Sequence, residues 1–441
     1  MFVRIGNTPR DYAWGSTTAI AELLGTEPSG GPEAELWLGA HPASPSQVLE
    51  PAAAGGARDL VEVVAGEGER LPYLLKVLAA AGPLSLQAHP SPSRARAGFE
   101  RENAAGVPLS APERNYKDPF HKPELIYALS ERFEALCGFR PVSESVAIVD
   151  ELRMAAAGGG AGRDALEELR SRLGGGVSGR DAGGSGVGGE GASGDAGGSG
   201  VGGVGASAGA GGDGGASGGA ALRDTVGWLL GGGPRVGDLV EAVVAASAGV
   251  LTSGNAGAFA ASLATVGDLA RAYPGDPGIV LSLLLNRVTL RRGEALYLPA
   301  GNIHAYLEGL GIELMAASDN VLRGGLTPKH IDVPELLAVL EFEPVPVPHL
   351  RGQVAGPGVE AFRPDVPDFA LLHVEVGGAD AGAALSATGP AIALCTRGKA
   401  RLSGTTGEVA LRRGDAVYVS AGEAPLRVVG DATLFVAVPN G

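Results

Sequence analysis

Hydrophobic and polar positions follow two different patterns along the chain. In the first 140 residues, and again after Asn286, short runs rich in β-branched and aromatic residues are bounded by Gly and Pro, which predicts strands. Between these regions apolar residues recur at spacings of three and four, as at Leu166, Leu169 and Leu173, which predicts helices. The chain is therefore predicted to be mainly β, built as barrels or sandwiches, with an α-helical insert.

These patterns divide the chain into four segments. We predict a catalytic β-module in two parts, residues 1–141 and 276–345, a helical domain at 142–275 and a second β-domain at 346–441. Residues from about 174 to 220 in the helical domain are almost all Gly, Ala, Ser and Val. Ordering so many glycines costs much backbone entropy, and these small side chains bury too little apolar surface to offset that cost. Residues 181–194 recur at 195–208 with two differences. We therefore predict a disordered surface loop here.

A second internal repeat lies in the predicted β regions. Residues 290–301 (LRRGEALYLPAG) resemble residues 411–422 (LRRGDAVYVSAG), and each copy reads as a turn, a strand and a turn. Gly293 and Gly414 suit hairpin turns. The first copy continues to His304, whereas no histidine follows the second. We predict one active β-module and one degenerate, structural β-module.

Composition and charge narrow the classes of protein. The 441 residues carry 34 basic and 49 acidic side chains, a formal charge of −15, with 5% aromatic residues. This composition argues against a nucleic-acid or anionic-membrane partner, because both require a basic surface. The lone Cys137 and Cys395 exclude a disulfide framework and suit a reducing compartment. The N-terminus has no apolar leader, and no run of about 18 uncharged apolar residues occurs. We expect a cytoplasmic monomer.

One short stretch places polar side chains where a barrel interior would be apolar. Residues 84–89 (LSLQAH) alternate, so that Ser85, Gln87 and His89 share one face of a strand. Burying an imidazole and an amide is unfavourable unless their polar atoms are satisfied, and a metal ion satisfies both. The alternative, in which this polar face meets solvent, stays open from these residues alone.

Two further segments supply candidate metal ligands. Residues 293–304 have the spacing G-x5-P-x-G-x2-H, which resembles the second sequence motif of cupin barrels and ends in His304. Glu124 follows His121 and Lys122 and begins an apolar run. Two imidazoles, a carboxylate and an amide oxygen suit Zn²⁺, Mn²⁺, Co²⁺ or Fe²⁺ with an exchangeable position. A structural role is the alternative for a single histidine after a turn.

Charged residues also follow the His304 segment. Glu313 lies in an apolar run, and Arg323 precedes two glycines that let a ligand approach the backbone closely. An acidic chain that binds phosphate must do so with a few local cations, so Arg323 and Lys329 are candidates. Ordinary solvated surface charge is the alternative for both.

Seven motifs together resemble type I mannose-6-phosphate isomerases. They occur in the family's order: YAWGS (12–16), ELWLG (35–39), LPYLLKVL (71–78), QAHP (87–90), HKPEL (121–125), GNIHAY (301–306) and ASDNVLRG (317–324). The resemblance implies a cupin-type catalytic module with one zinc ion per chain. It implies an aldose–ketose isomerase that interconverts mannose 6-phosphate and fructose 6-phosphate. Where many relatives have a lysine-bearing stretch after QAHP, this chain has Ser91-Pro92-Ser93, so a cationic role there would pass to Arg94 or Arg96 or be absent.

The resemblance also implies roles for individual residues. It assigns the zinc ligands to Gln87, His89, Glu124 and His304. It places Lys122, Asp319, Arg323 and Glu313 at the reacting sugar, to which His121 is added as a neighbouring candidate. It ties Lys76, Ser85, Lys329 and Tyr306 to substrate or phosphate binding.

The expected chemistry is proton transfer between C2 and C1 of the sugar through an enediol. Lys122, Glu313 and Asp319 are alternative proton carriers, and the sequence does not choose among them. One rival is a cupin dioxygenase, because two His and a carboxylate resemble the non-haem iron triad, but Gln87 and the Arg–Lys set argue against it. Another is a non-catalytic sugar-phosphate-binding protein, against which the acid–base groups argue.

Overall fold

The computed structural model describes residues 1–68, 70–156, 160–174, 214–378 and 381–441. Residues 175–213 of the predicted surface loop, with the tandem duplication at 181–208, lie outside the described residues. For residues 214–220 the loop prediction is wrong, because they begin a helix. The described part combines sheets with helices, as the hydrophobic pattern predicts.

The strands fall into two groups along the chain. The first group is β1 (Phe2–Gly6), β2 (Glu35–Leu38), β3 (Gln47–Val48), β4 (Tyr73–Ala80), β5 (Gln87–Ala88), β6 (Glu124–Ala128), β7 (Arg132–Phe139), β8 (Leu285–Arg291), β9 (Ala295–Leu298), β10 (His304–Ala316), β11 (Leu322–Arg323) and β12 (His349–Leu350). The second is β13 (Gln353–Gly356), β14 (Val359–Phe362), β15 (Ala370–Val376), β16 (Gly382–Leu385), β17 (Ala391–Ser403), β18 (Glu408–Arg412), β19 (Ala416–Val419) and β20 (Leu426–Val438).

Most of the helices lie between β7 and β8. They are α1 (Ala19–Leu24), α2 (Leu60–Gly66), α3 (Pro92–Ala104), α4 (Val142–Ala155), α5 (Ala161–Gly174), α6 (Gly214–Gly231), α7 (Pro234–Ser253), α8 (Ala260–Ala272), α9 (Gly278–Leu281) and α10 (Val333–Val339). Short 3-10 turns lie at Pro51–Ala54, Gly257–Phe259, Ser282–Leu284 and Ala421–Glu423.

The long strand β10 organises the first sheet. Its N-terminal half pairs with β5 and β7, and its C-terminal half pairs with β4 and β6. Gly309, where the partners change, has φ 134°, a conformation essentially reserved for glycine. Strands β2, β8 and β9 extend the sheet beyond β4, β7 and β6. Strand β10 therefore connects two sets of strands and carries side chains to the space that they enclose.

The second sheet is formed by β13 to β20 together with the N-terminal strands β1 and β3. Phe2 pairs with Val419 in β19, and Ile5 pairs with both Ala416 and Val48. Side chains from both sheets, among them Leu75 and Phe435, share one buried apolar cluster. The first residues of the chain therefore complete a sheet that is built mainly from its last 90.

The helical insert packs into a buried apolar cluster that it shares with the first sheet. Leu166, Leu169 and Leu173, which the spacing selects, are fully buried on α5 against the neighbouring helices. Leu86 and Ala88 from the β5 segment join the same cluster. Within the described residues one helix, α7, is long and apolar enough to cross a membrane by length and composition. Its apolar face packs on α4, α5 and α8.

The repeated segments form equivalent turns, but the hairpin prediction is wrong. Gly293 and Gly414 have φ of 92° and 91°, and their N–H groups donate to the carbonyls of Ala128 and Cys395, at 3.0 and 2.8 Å. The strands on either side of each turn pair with other strands: β8 with β7, β9 with β6 and β12, and β18 with β17. A local pattern identifies a turn, whereas the strand partners depend on distant residues.

Candidate metal centre and active site

Three adjacent strands bring the predicted metal ligands together. In the registers of β10, His304 pairs with Gln87 of β5 and Met315 pairs with Glu124 of β6. His304 Nε2 lies 3.1 Å from Glu124 Oε2, and His89 Nε2 lies 3.2 Å from Glu124 Oε1. The side-chain amide of Gln87 lies 3.3 Å from His304 Nε2. His89, Glu124 and His304 form one buried cluster with ligand atoms within 4.8 Å of one another.

Backbone carbonyls fix the tautomers of both histidines. His89 Nδ1 lies 2.8 Å from the carbonyl oxygen of Asn320, and His304 Nδ1 lies 3.0 Å from that of Asn302. A carbonyl accepts only, so each Nδ1 carries the proton and each Nε2 presents a lone pair next to Glu124. His89 Nε2 is buried and has no hydrogen-bond partner. An orphaned lone pair beside a carboxylate fits a metal cation such as Zn²⁺.

The charges in the cluster suit metal binding. Burial lowers the pKa of His89 to about 4, so its imidazole is neutral near pH 7. Burial alone raises the pKa of Glu124, but the Lys122 ammonium, 2.9 Å away, and the histidines hold that pKa well below its usual range. Neutral imidazoles and an ionised carboxylate are the forms that bind a metal without first losing a proton.

The cluster opens onto a cavity of about 720 Å³ between the two sets of strands. Its lining includes Gln87, Glu124, Lys122, Tyr306, Glu313, Asp319, Lys76, Ser85, Arg323 and Lys329. The structure thus brings nearly all of the predicted site residues to one space. The alternation of residues 85–89 places Ser85 and Gln87 on the cavity wall and Leu86 and Ala88 in the helical core, whereas Leu84 also faces the cavity.

One part of the cavity wall is cationic. Arg323 donates from Nη1 to Ser85 Oγ at 3.3 Å. Burial lowers the pKa of the Arg323 guanidinium. The pKa of Lys329 is lowered first by the charge of Arg323, then by burial and by Lys117. Among the ion pairs between described residues, none involves Arg323, Lys329 or Lys117. Three neighbouring cations without carboxylate partners suit a phosphate dianion.

A buried ion pair lies on facing strands of the same cavity. Glu313 on β10 is in register with Lys76 on β4, and its Oε2 lies 2.8 Å from Lys76 Nζ. Burial raises the pKa of Glu313 despite Lys76, with Glu124 and Glu35 adding to the effect. The Tyr306 hydroxyl is buried without a hydrogen-bond partner and faces the cavity, where a substrate hydroxyl can pair with it.

Two predicted residues lie elsewhere. His121 does not line the cavity: its Nε2 lies 2.8 Å from Asp368 Oδ2, near the second sheet. Arg94, considered as a replacement for a lysine, pairs with Glu335 at 2.9 Å and faces away from the cavity. Ser91 instead accepts a hydrogen bond from Arg94 N and caps α3. Whether these side chains reach the cavity depends on the direction that the chain takes after each Pro-containing turn. The spacing of residues in the sequence does not give that direction.

Four of the wall residues that were not predicted from the sequence carry polar or aromatic groups near the predicted site: Glu35, Trp37, His41 and Lys117. Glu35 and Trp37 are two positions apart on β2 and therefore share a face, and Trp37 Nε1 donates to Glu35 Oε2 at 2.8 Å. The charged residue in an otherwise apolar ELWLG run was a signal for this face. His41 and Lys117 carried no comparable signal.

A buried His–Glu–His cluster beside acid–base groups and unpaired cations defines a metalloenzyme site for a small anionic substrate. The family model described as phosphomannose isomerase type I, catalytic domain, matches residues 2–142. The mannose-6-phosphate isomerase of Escherichia coli (strain K12) is 36% identical, with 97% of each chain covered. The chain therefore belongs to the type I phosphomannose isomerase family.

Other relatives agree with this assignment. The mannose-6-phosphate isomerase of Rattus norvegicus is 31% identical and covers 95% of this chain and 93% of its own. A crystal structure of a zinc-bound mannose 6-phosphate isomerase matches with a TM-score of 0.76 and 32% identity over 100% of both chains. The similarity thus extends over the whole fold.

Proposed function

We propose that this protein is a zinc-dependent mannose-6-phosphate isomerase, which interconverts mannose 6-phosphate and fructose 6-phosphate by proton transfer between C2 and C1. The observation that carries the proposal is the buried cluster of His89, Glu124 and His304 at a cavity whose wall also holds unpaired cations. A sugar phosphate has the matching chemistry, with oxygens at C1 and C2 and a dianion at C6.

Gln87, His89, Glu124 and His304 would hold one zinc ion. When bound, zinc supplies Lewis-acid polarisation of the sugar's carbonyl and hydroxyl oxygens. The orphaned Nε2 of His89 and the ionised Glu124 support this assignment. Mn²⁺, Co²⁺ and Fe²⁺ prefer similar donors and are alternative occupants.

Arg323 and Lys329 bind the phosphate in this proposal, with Lys117 as a third cation. The guanidinium is planar and can grip two oxyanion oxygens at once, whereas the ammonium groups add point charge. Ser85 holds one edge of Arg323 through Oγ. The phosphate would thus fix the sugar in the cavity with its C1 end toward the metal ligands.

Proton transfer is assigned to Asp319 and Lys122. Burial raises the pKa of Asp319, but His41, Lys117 and Lys122 together lower it below its usual value, so an ionised acceptor is present near neutral pH. Lys122 lies against Glu124 and can donate to a sugar oxygen beside the metal ligands. Glu313, with a raised pKa, keeps Lys76 in place and is the alternative proton carrier.

We further propose that the first sheet is a cupin-type module and the second a degenerate copy. Strands β10 and β20 both have 13 residues and change partners midway. Where Glu313 pairs with Lys76 and Ile126, Leu434, at the 121-residue offset of the repeat, pairs with Val374 and Cys395. Replacement of the buried ion pair by apolar residues supports a purely structural second module. The predicted domain boundaries and a cytoplasmic, monomeric enzyme belong to the same proposal.

The test is isomerase activity of the purified chain. Mannose 6-phosphate is incubated with the protein, and fructose 6-phosphate formation is coupled to a reporter before chelation, after chelation and after zinc is restored. We expect turnover that disappears on complete metal removal and returns with zinc. Turnover that survives metal removal would contradict the metal assignment, and no product from any phosphorylated aldose would contradict the isomerase assignment.

A further inference from the structure

His41 occupies a constrained position at the wall of the cavity. It follows β2, its side chain is buried, and the edge of its ring meets Trp37 with ring centroids 5.0 Å apart. The backbone N–H of Ala43 donates to His41 Nδ1 at 3.2 Å. Because Nδ1 accepts that hydrogen bond, the ring proton of the neutral imidazole is on Nε2. The local backbone therefore selects one tautomer.

The protonated nitrogen of His41 faces Asp319. His41 Nε2 lies 3.4 Å from Asp319 Oδ1. Among the side-chain contacts between described residues, His41 is the one partner of the Asp319 carboxylate. The backbone of Asp319 is fixed separately, because its N–H donates to Asp118 Oδ2 at 2.8 Å. The backbone thus places Asp319, and His41 alone restrains the direction of its carboxylate.

We infer that His41 is a positioning residue, which holds the Asp319 carboxylate toward the substrate by donating its Nε2–H. The inference rests on the proposed function, in which Asp319 accepts a proton. A long hydrogen bond in the free enzyme commonly shortens when substrate binds, so 3.4 Å is compatible with this role. In this role His41 acts through Asp319.

Other charged groups also face Asp319, and they act differently. Lys117 and Lys122 favour its ionised form by their charge, and Asp118 contacts its backbone. Neither lysine forms an ion pair with the Asp319 carboxylate among the described contacts, so they supply attraction without a fixed direction. Only His41 combines a selected tautomer with a fixed ring plane.

The test compares His41→Leu, which removes the donor, with His41→Gln, whose amide N–H replaces it. His349→Leu, at an exposed position of β12, is the matched control. Steady-state constants with mannose 6-phosphate are measured across pH for zinc-loaded proteins, alone and combined with Asp319→Asn. A carbon-13 titration of the Asp319 carboxyl in wild type and His41→Leu reads the same contact without turnover.

We expect His41→Leu to lose at least about tenfold in kcat, with KM changed by less, and to move the acidic limb of the kcat profile to higher pH. His41→Gln should recover most of the rate, and His349→Leu should match wild type. In the Asp319→Asn protein, adding His41→Leu should lower kcat little further. A folded, zinc-loaded His41→Leu with an unchanged acidic limb and an unchanged rate would overturn the inference. The inference would also fail if His41→Leu lowered kcat by the same factor in the Asp319→Asn protein as in wild type. If wild type is inactive, the proposed function fails, and an unchanged Asp319 titration in His41→Leu would still refute the contact.

Discussion

At the scale of single residues, the site separates two kinds of cation. Lys76 and Lys122 each lie within 2.9 Å of a buried carboxylate oxygen, whereas Arg323, Lys329 and Lys117 have no carboxylate partner among the described ion pairs. Carboxylates of the protein neutralise Lys76 and Lys122, whereas the unpaired cations are available to an anion. This division is the basis for two predictions about phosphate recognition.

Arg323→Lys should fold normally and lose at least about tenfold in kcat/KM, equivalent to about 1.4 kcal/mol, because a point charge cannot reproduce a planar two-pronged contact. The comparison is made with mannose 6-phosphate and with unphosphorylated mannose. Equal losses for both substrates would show that Arg323 does not bind the phosphate.

Lys117→Ala should raise KM for mannose 6-phosphate by about three- to tenfold and change kcat less, because one of three cations near the phosphate is lost. The effect should weaken at high ionic strength. Lys399→Ala, at an exposed position of β17, is the matched control and should leave KM unchanged. An unaltered KM in Lys117→Ala would place the phosphate elsewhere.

Local sequence patterns select the side chains that the structure brings together at the His89–Glu124–His304 cluster. Alternation along residues 85–89 puts Gln87 and His89 on one side of a strand, and the turn before His304 directs that side chain inward. The His41–Asp319 contact joins residues far apart in the chain, and no local pattern encodes it. His121 stands beside Lys122 in sequence, yet its ring meets Asp368 outside the cavity.

At the scale of elements, β10 is the strand on which the site depends. It carries His304 near one end and Glu313 near the other, and it changes partners at Gly309. A Cβ at Gly309 would lie 2.7 Å from the Phe133 ring, in addition to its φ of 134°. The strand can connect both sets of partners only because this position lacks a side chain.

Gly309→Ala should therefore destabilise the protein by about 2 kcal/mol or more, through backbone strain and the clash with Phe133. Thermal or denaturant unfolding measures the change. Gly356→Ala, where a Cβ meets open space, should leave stability nearly unchanged. Equal stabilities for the two variants would contradict the account of β10.

At the scale of the whole molecule, the two ends of the chain are joined. Strand β1 pairs with β19, and the Met1 ammonium lies 3.0 Å from Glu423 Oε1, a buried carboxylate that also accepts from Thr406 N at 2.9 Å. Hydrophobic patterning predicts each strand but not which distant strand it meets. The sequence therefore predicts the β-modules, whereas the entry of residues 2–6 into the second sheet emerges only in the structure.

This junction predicts a pH dependence of stability. Burial raises the pKa of Glu423, but the Thr406 hydrogen bonds and the Met1 ammonium more than offset it, and the pKa is about 2. A depressed carboxyl pKa stabilises the fold above the unfolded-state value near 4.3, and the stabilisation is lost as pH falls toward 2. Glu423→Gln should thus lower the free energy of unfolding by about 2 kcal/mol at pH 7, with the difference from wild type shrinking below about pH 4. Urea unfolding across pH checks this, with the exposed Glu27→Gln as control. A difference independent of pH would contradict the junction.

The most direct test of the central claim measures bound zinc and isomerase turnover together in wild type, His89→Ala, His304→Ala and the exposed control His349→Ala. Metal content is determined by elemental analysis, and folding by circular dichroism. Because each active-site variant removes a ligand that has no replacement in the cluster, zinc and turnover should fall together in both. Wild type and the control should bind one zinc per chain and convert mannose 6-phosphate to fructose 6-phosphate at equal rates. Full zinc content and full turnover in a folded His89→Ala or His304→Ala protein would contradict the assignment of this cavity as a zinc-dependent isomerase site.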